Sequence, residues 1–222
     1  MKTVVFDFDG TLTVKSSDIW KSIFIELGYD VKDESGDYKM QMKDFFNNKI
    51  TYQEWCDQTC KSYTDKKFSK QILYKLADKI KLLNGFDKTI KTLVDNNIEL
   101  HIVSGNFVEV IKYVLGDKAK YFKTINASRM VFDDNDLLTK IVGTEYDFDG
   151  KAKFITEYCQ KNKVNPSEVC FVGNGDNDEW AYEAGCKTIC VNPENTDHTN
   201  LKVWNKTLHC LKNLEDILPE IL

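Results

Sequence analysis

The chain has 222 residues, 42% hydrophobic and 29% charged, with 11 Gly and only 3 Pro, a composition that allows a full core and excludes collagenous, low-complexity and disordered classes. Thirty Lys and Arg against 35 Asp and Glu leave a formal net charge of −5, which argues against a general electrostatic hold on nucleic acid or an anionic membrane. No stretch approaches the roughly 18 consecutive apolar residues of a membrane span, and acids interrupt the start, MKTVVFDFDGTLT, where a secretory leader needs an apolar core.

Residues 3 to 8, TVVFDF, are β-branched and aromatic and run into Asp-Gly-Thr, the pattern of a buried strand opening into a loop. Residues 14 to 84 show helical periodicity and no buried strand. Ile19, Trp20, Ile23, Phe24 and Leu27 share one helical face, Thr51 with Glu54 forms a capping box, and Ile72, Leu73, Leu76, Ile80 and Leu83 make a further stripe. Helices at 87–95, 107–115, 152–161 and 179–184 then alternate with short apolar strands at 98–103, 169–172 and 188–191, and a DDND turn within 126–147 suggests a hairpin beside the sheet. The expected fold is therefore α/β, a Rossmann-like parallel sheet core (1–13 and 85–222) with an inserted all-helical cap domain (14–84). Ligands belong at the carboxyl ends of such strands. Seven cysteines, an odd number with no zinc-like spacing, read as free thiols in packing, in keeping with a cytoplasmic protein.

Four segments carry chemistry. Asp7 and Asp9, two apart at a strand end, send both carboxylates from one face while Phe6 and Phe8 pack on the other. Carboxylates are ionised at pH 7 and need no base to act as nucleophiles, but two together repel and call for a cation. Ser104-Gly105-Asn106 precedes a helix, where Ser104 serves either as an N-cap or as part of an anion site. Lys151 precedes the 152–161 helix, ill matched to its dipole unless an anion lies there. Gly173 to Asp178, GNGDND, reads either as an Asx-rich turn or as oxygen ligands for a hard cation; it fails the dinucleotide fingerprint, since Asp178 stands where the third Gly belongs.

In this order, the four segments resemble the haloacid-dehalogenase-like hydrolase superfamily, most closely its phosphoserine-phosphatase-like branch. The DxDGT motif matches Asp7 to Thr11, the Ser of the second motif Ser104, the third-motif Lys Lys151, and the acidic fourth motif Gly173 to Asp178. The resemblance implies a phosphatase acting on a small phosphorylated metabolite, with Mg²⁺ as cofactor and no nucleic-acid or membrane partner. It implies Asp7 as nucleophile, Asp9 as acid and base and Lys151 as charge partner, with Thr11, Ser104, Gly105 and Asn106 at the phosphate and Asp7, Asp9, Asn174 and Asp178 at the metal. A phosphomutase or phosphotransferase using the same site, or a phosphoryl-receiving module without hydrolysis, are the alternatives.

Two departures from the pattern carry information. Asn174 stands where the fourth motif has Asp, removing a charge, and Asp176 either compensates or caps the turn. Phosphoserine phosphatases also carry a Glu just after the first motif and an Arg in the cap. The corresponding stretch here is Val14-Lys15-Ser16-Ser17-Asp18, and the only Arg is Arg129. A substrate other than L-phosphoserine is therefore expected, with aromatic residues between Trp20 and Tyr74 supplying some of an apolar cap surface.

Overall fold

The structure, a computed structural model, describes residues 1–14, 18–193 and 202–222. In chain order it contains β1 (Thr3–Phe6), α1 (Ile19–Glu26), α2 (Asp37–Phe46), α3 (Tyr52–Asp65), α4 (Lys70–Ala77), α5 (Phe86–Asp95), β2 (Glu99–Phe107), α6 (Val108–Leu115), β3 (Thr124–Phe132), β4 (Leu138–Val142), α7 (Gly150–Asn162), β5 (Val169–Gly173), β6 (Lys187–Val191) and β7 (Lys206–Leu208). The strands form one seven-stranded sheet in the order β4-β3-β2-β1-β5-β6-β7, parallel except for the β3–β4 pair. The chain leaves β1 for one side of the sheet and returns through β5 to the other. That makes the carboxyl end of β1 the switch point where a crevice opens.

β1 is buried on both faces, which explains its unbroken apolar run. Val4 and Phe6 pack with Ile90, Leu93 and Ile111 of α5 and α6, whereas Val5 packs with Phe154 and Ile155 of α7. A third cluster joins Ile19, Ile23, Tyr63 and Leu73 of α1, α3 and α4 to Phe107, Val110 and the β3–β4 residues Met130 and Ile141. The helices between β1 and α5 thus share apolar packing with one end of the sheet. Their two connections run side by side: Leu83 N donates to Leu12 O and Val14 N to Lys81 O, both at 2.9 Å.

Several elements differ from the sequence reading. The 72–83 stripe is not one helix, because α4 ends at Ala77 and Ile80 to Leu83 form the return connection beside Leu12 to Val14. Residues 176–184 form a 3₁₀ helix whose first turn is tightened by Asp178 reaching back to loop amides, and Gly185, at φ +74°, ends it. The DDND segment turns a hairpin as expected, yet β3 also pairs in parallel with β2, so the hairpin belongs to the sheet. The capping box at Thr51 and Glu54 is present, and six of the seven thiols are buried, with Cys210 exposed. Among the described residues no helix is long and apolar enough to cross a membrane.

Candidate active site

The site begins where β1 runs out. Asp7 N donates to Val172 O at 2.9 Å, which holds Asp7 against β5 at the carboxyl edge of the sheet. Gly10 then turns the chain at φ +72°, in the left-handed region that favours glycine, and its N–H donates to Thr13 Oγ1 at 2.9 Å.

Lys151, in the first turn of α7, is wholly buried, and its ammonium donates to Asp7 Oδ1 at 3.2 Å and to Asp178 Oδ1. Burial alone would favour a neutral amine, but Asp178, Asp7 and Asp147 outweigh it and hold Lys151 charged. Burial pushes the Asp7 carboxyl well above the usual carboxylate range; Lys151 pulls it down, while the charges of Asp178 and Asp9 push it up.

The GNGDND loop is organised by Asp178. Its Oδ2 accepts from the Asn174 and Gly175 amides at 2.8 and 2.9 Å, while Oδ1 accepts from Lys151. Asp178, expected at the metal, therefore has both oxygens engaged by the protein. Gly173 leaves room for this: a Cβ there would lie 2.5 Å from the Asp178 carboxyl carbon. Asn174 Oδ1 accepts from Thr11 Oγ1 at 3.1 Å, which ties the fourth segment to the first and places Thr11, expected at the phosphate, in a buried bond beneath it.

Ser104, Gly105 and Asn106 lie within extended β2 rather than at a helix start. α6 begins at Val108, and Phe107 at its N-cap position provides no side-chain cap, so Ser104 is not a helix cap. Ser104 Oγ instead accepts from Asn106 N at 3.3 Å, and Asn106 Nδ2 donates to Asp9 Oδ2 at 2.7 Å.

These residues meet in one cavity of about 340 Å³, whose lining includes Asp7, Asp9, Ser104, Gly105, Asn106 and Asn174. Its upper wall is aromatic: Trp20, Tyr38, Phe46, Tyr52, Trp55 and Phe148 all face it, with Asp18 and Asp147 as further acids. Aromatic crowding was visible in the sequence, but Asp147 was not a candidate, because it follows β4 in a stretch without a motif. Asp147 Oδ1 accepts from Asn177 Nδ2 at 3.0 Å, and Trp20 Nε1 donates to Gly105 O at 2.9 Å, fastening α1 to the end of β2. Lys15, Ser16 and Ser17 lie outside the described residues.

The fit of a cation can be judged from the donors. Asp7 and Asp178 bind one buried ammonium, and Asp9 acts on Asp7 from close by, an excess of negative charge that suits a divalent ion. Among the described residues no three His, Cys, Asp or Glu side chains form a metal cluster. The oxygen donors facing the cavity include the carboxylates and the Asn174 amide oxygen, the hard set that Mg²⁺ prefers.

A family model described as haloacid dehalogenase-like hydrolase matches residues 1–185. The chain belongs to this family. Among the relatives of this haloacid dehalogenase-like hydrolase, a phosphoserine phosphatase of Lactococcus lactis is 34% identical over 100 residues, 45% of each chain. A phosphoserine phosphatase of Archaeoglobus fulgidus is 24% identical over 194 residues, 86% of this chain and 52% of that one. The alignments thus span about half the length of these relatives. A solved structure titled as a phospho-aspartyl intermediate analogue of phosphoserine phosphatase superposes with a TM-score of 0.72 at 18% identity, covering 100% of this chain and 99% of that one. The α/β fold expected from the sequence, with its mostly parallel sheet, is the fold of these hydrolases.

Proposed function

We propose that this hydrolase is a Mg²⁺-dependent phosphatase that cleaves a small phosphomonoester through an aspartyl-phosphate on Asp7, with residues 14–84 acting as a cap over the core of 1–13 and 85–222. The observation that carries the reading is the Asp7 carboxylate on the wall of an aromatic-lined cavity, with a buried, charged Lys151 bound to one of its oxygens. A cavity lined both by cap helices and by strand ends suits a substrate held between the two.

In the proposed reaction Asp7 attacks phosphorus, forming the Asp7 O–P bond as the bond to the leaving oxygen breaks. Asp9 gives that oxygen a proton. Asp9 then takes a proton from water as it attacks phosphorus, releasing inorganic phosphate and restoring Asp7. Asn106 positions Asp9 for both transfers through its bond to Oδ2. Ser104 Oγ and the Gly105 N–H are offered to the phosphoryl oxygens, and Lys151 balances their charge through Asp7. The Asp7 carboxylate, the Asp9 backbone carbonyl and Asn174 Oδ1 would hold Mg²⁺, which when bound supplies positive charge against the transferring phosphoryl group. We assign Asp178 to fixing Lys151 and the loop, since both its oxygens serve that purpose.

L-phosphoserine is not proposed as the preferred substrate. Among the described residues no Lys, Arg or His lines the cavity to meet its carboxylate. The test of the mechanism is Asp7→Asn, which preserves shape but removes the nucleophile: turnover should vanish while the fold persists, and acid quench of the wild type with labelled substrate should trap phosphate on Asp7. Label on another residue overturns the mechanism.

A further inference from the structure

We infer that the cavity above Asp7 selects phosphomonoesters whose alcohol carries an ammonium or quaternary ammonium group and no carboxylate; this rests on the phosphatase reading and names its substrate class. The phosphoryl end is fixed by Asp7 and Ser104, so the rest of the substrate must extend toward the aromatic wall. There the indoles of Trp20 and Trp55 stack on each other, with Phe107 against the first and Phe45 against the second, and Tyr38, Phe46, Tyr52 and Phe148 add their rings to the lining. Aromatic faces attract cations through their quadrupole, more strongly when water is excluded.

Two further carboxylates on the cavity wall, Asp147 beside the phosphoryl end and Asp18 away from it, bear on the choice of sign. Asp147 lies against Gly105, where an added Cβ would come within 2.5 Å of its Oδ2, and is therefore held beside the reacting end. Asp18 caps α1, its Oδ1 accepting from Lys21 N at 2.9 Å and its Oδ2 from Tyr38 OH at 3.1 Å. Both line the cavity, and no basic side chain among the described residues lines it with them, although the buried Lys151 ammonium draws on Asp147 from beneath. A second anionic group on the substrate would meet acids and ring faces, whereas a cationic one is matched by both. A volume of about 340 Å³ lies at the small end of ligand sites, in keeping with a short amino alcohol.

The test compares kcat/KM of the full chain with Mg²⁺ on phosphocholine, phosphoethanolamine, glycerol phosphate, pyridoxine phosphate, L-phosphoserine and a chromogenic aryl phosphate. The better cationic ester should exceed glycerol phosphate and L-phosphoserine by about tenfold or more, the scale of one desolvated cation–π contact. Asp18→Asn keeps a helix-capping side chain and, like Asp147→Asn, removes only charge. Each should lower the ratio of cationic to neutral kcat/KM about three- to tenfold, chiefly through KM, whereas purely structural damage would lower all substrates together. Preference for L-phosphoserine or for the neutral pyridoxine ester, or a ratio unmoved in both variants, overturns the inference while leaving a phosphatase. Failure to cleave any ester, the aryl phosphate included, would overturn the phosphatase reading instead. Substrate class is then decided by calorimetric titration of the Asp7→Asn protein, in which phosphocholine should bind more tightly than L-phosphoserine; equal or weaker binding overturns the inference.

Discussion

Asn106 donates its side-chain amide to Asp9 Oδ2 at 2.7 Å across a separation of 97 positions in the chain, so the second acid of the first motif is held by the end of β2. If Asp9 moves the proton, Asp9→Asn should lower kcat by about 10²- to 10⁴-fold. Asn106→Ala, which leaves the acid in place but unheld, should cost about tenfold by the same proton-transfer scale. The double variant should be no worse than Asp9→Asn alone, because both changes act on one interaction. Steady-state kinetics on one substrate decide it; additive losses would mean that Asn106 acts elsewhere.

Lys151 bridges Asp7 and Asp178 with no exposure to solvent. Removing a buried charge partner strands the opposite charge, which costs about 3–5 kcal/mol in such pairs. Lys151→Met should therefore lower the unfolding free energy by that order in urea titrations, on top of any loss of activity. An unchanged midpoint would show that Asp7 and Asp178 do not depend on this ammonium in the folded state.

The sheet was legible because β1, β2, β5 and β6 are apolar runs closed by polar loops, and burial on both faces demands such runs. β7 was missed because KTL is too short and too polar to show a pattern. At the site, Asp7, Asp9, Ser104, Lys151 and Asn174 were named from motif spacing, and the strand period gave Asp7 and Asp9 a common face, but the partners of these side chains were not legible. Nothing local reveals that Asp178 spends both oxygens on Lys151 and loop amides, or that Asn106 holds Asp9. Asp147 reaches the cavity only through tertiary placement beside Gly105, a relation between distant segments that periodicity cannot carry.

Asn174 offers the cavity an amide oxygen that Thr11 Oγ1 orients at 3.1 Å. If that oxygen contacts Mg²⁺, Asn174→Asp should tighten the apparent Mg²⁺ affinity, since a carboxylate adds charge to a hard-ion site. Thr11→Val, which removes the orienting hydroxyl, should weaken it. Titration of activity against Mg²⁺ measures both; equal or weaker binding in Asn174→Asp would exclude Asn174 as a ligand.

His101 lies buried in β2, with Nε2 2.9 Å from Glu99 Oε1 and Nδ1 2.8 Å from Thr124 Oγ1. Asn126 Nδ2 donates to the same Thr124 oxygen at 2.7 Å, so the Thr124 hydroxyl is placed to donate to Nδ1 and the neutral ring carries its proton on Nε2. Protonating Nδ1 would displace that donor. Burial lowers the His101 pKa below its ordinary 6.5, against the opposing pull of Glu99. A depressed folded-state value means that the unfolded chain binds the proton first. The contribution to stability is therefore complete above about pH 6.5 and is lost as pH falls toward and through the folded-state value. Urea unfolding at pH 7.5 and 5.5 should show less stability at the lower pH, and His101→Gln, which keeps hydrogen-bonding atoms but cannot titrate, should show a smaller difference. Glu99 keeps Lys123 and Tyr158 as partners in the variant and loses only the imidazole, so the difference between the two proteins reports the His101–Glu99 pair; the same pH dependence in wild type and variant would remove His101 as its source.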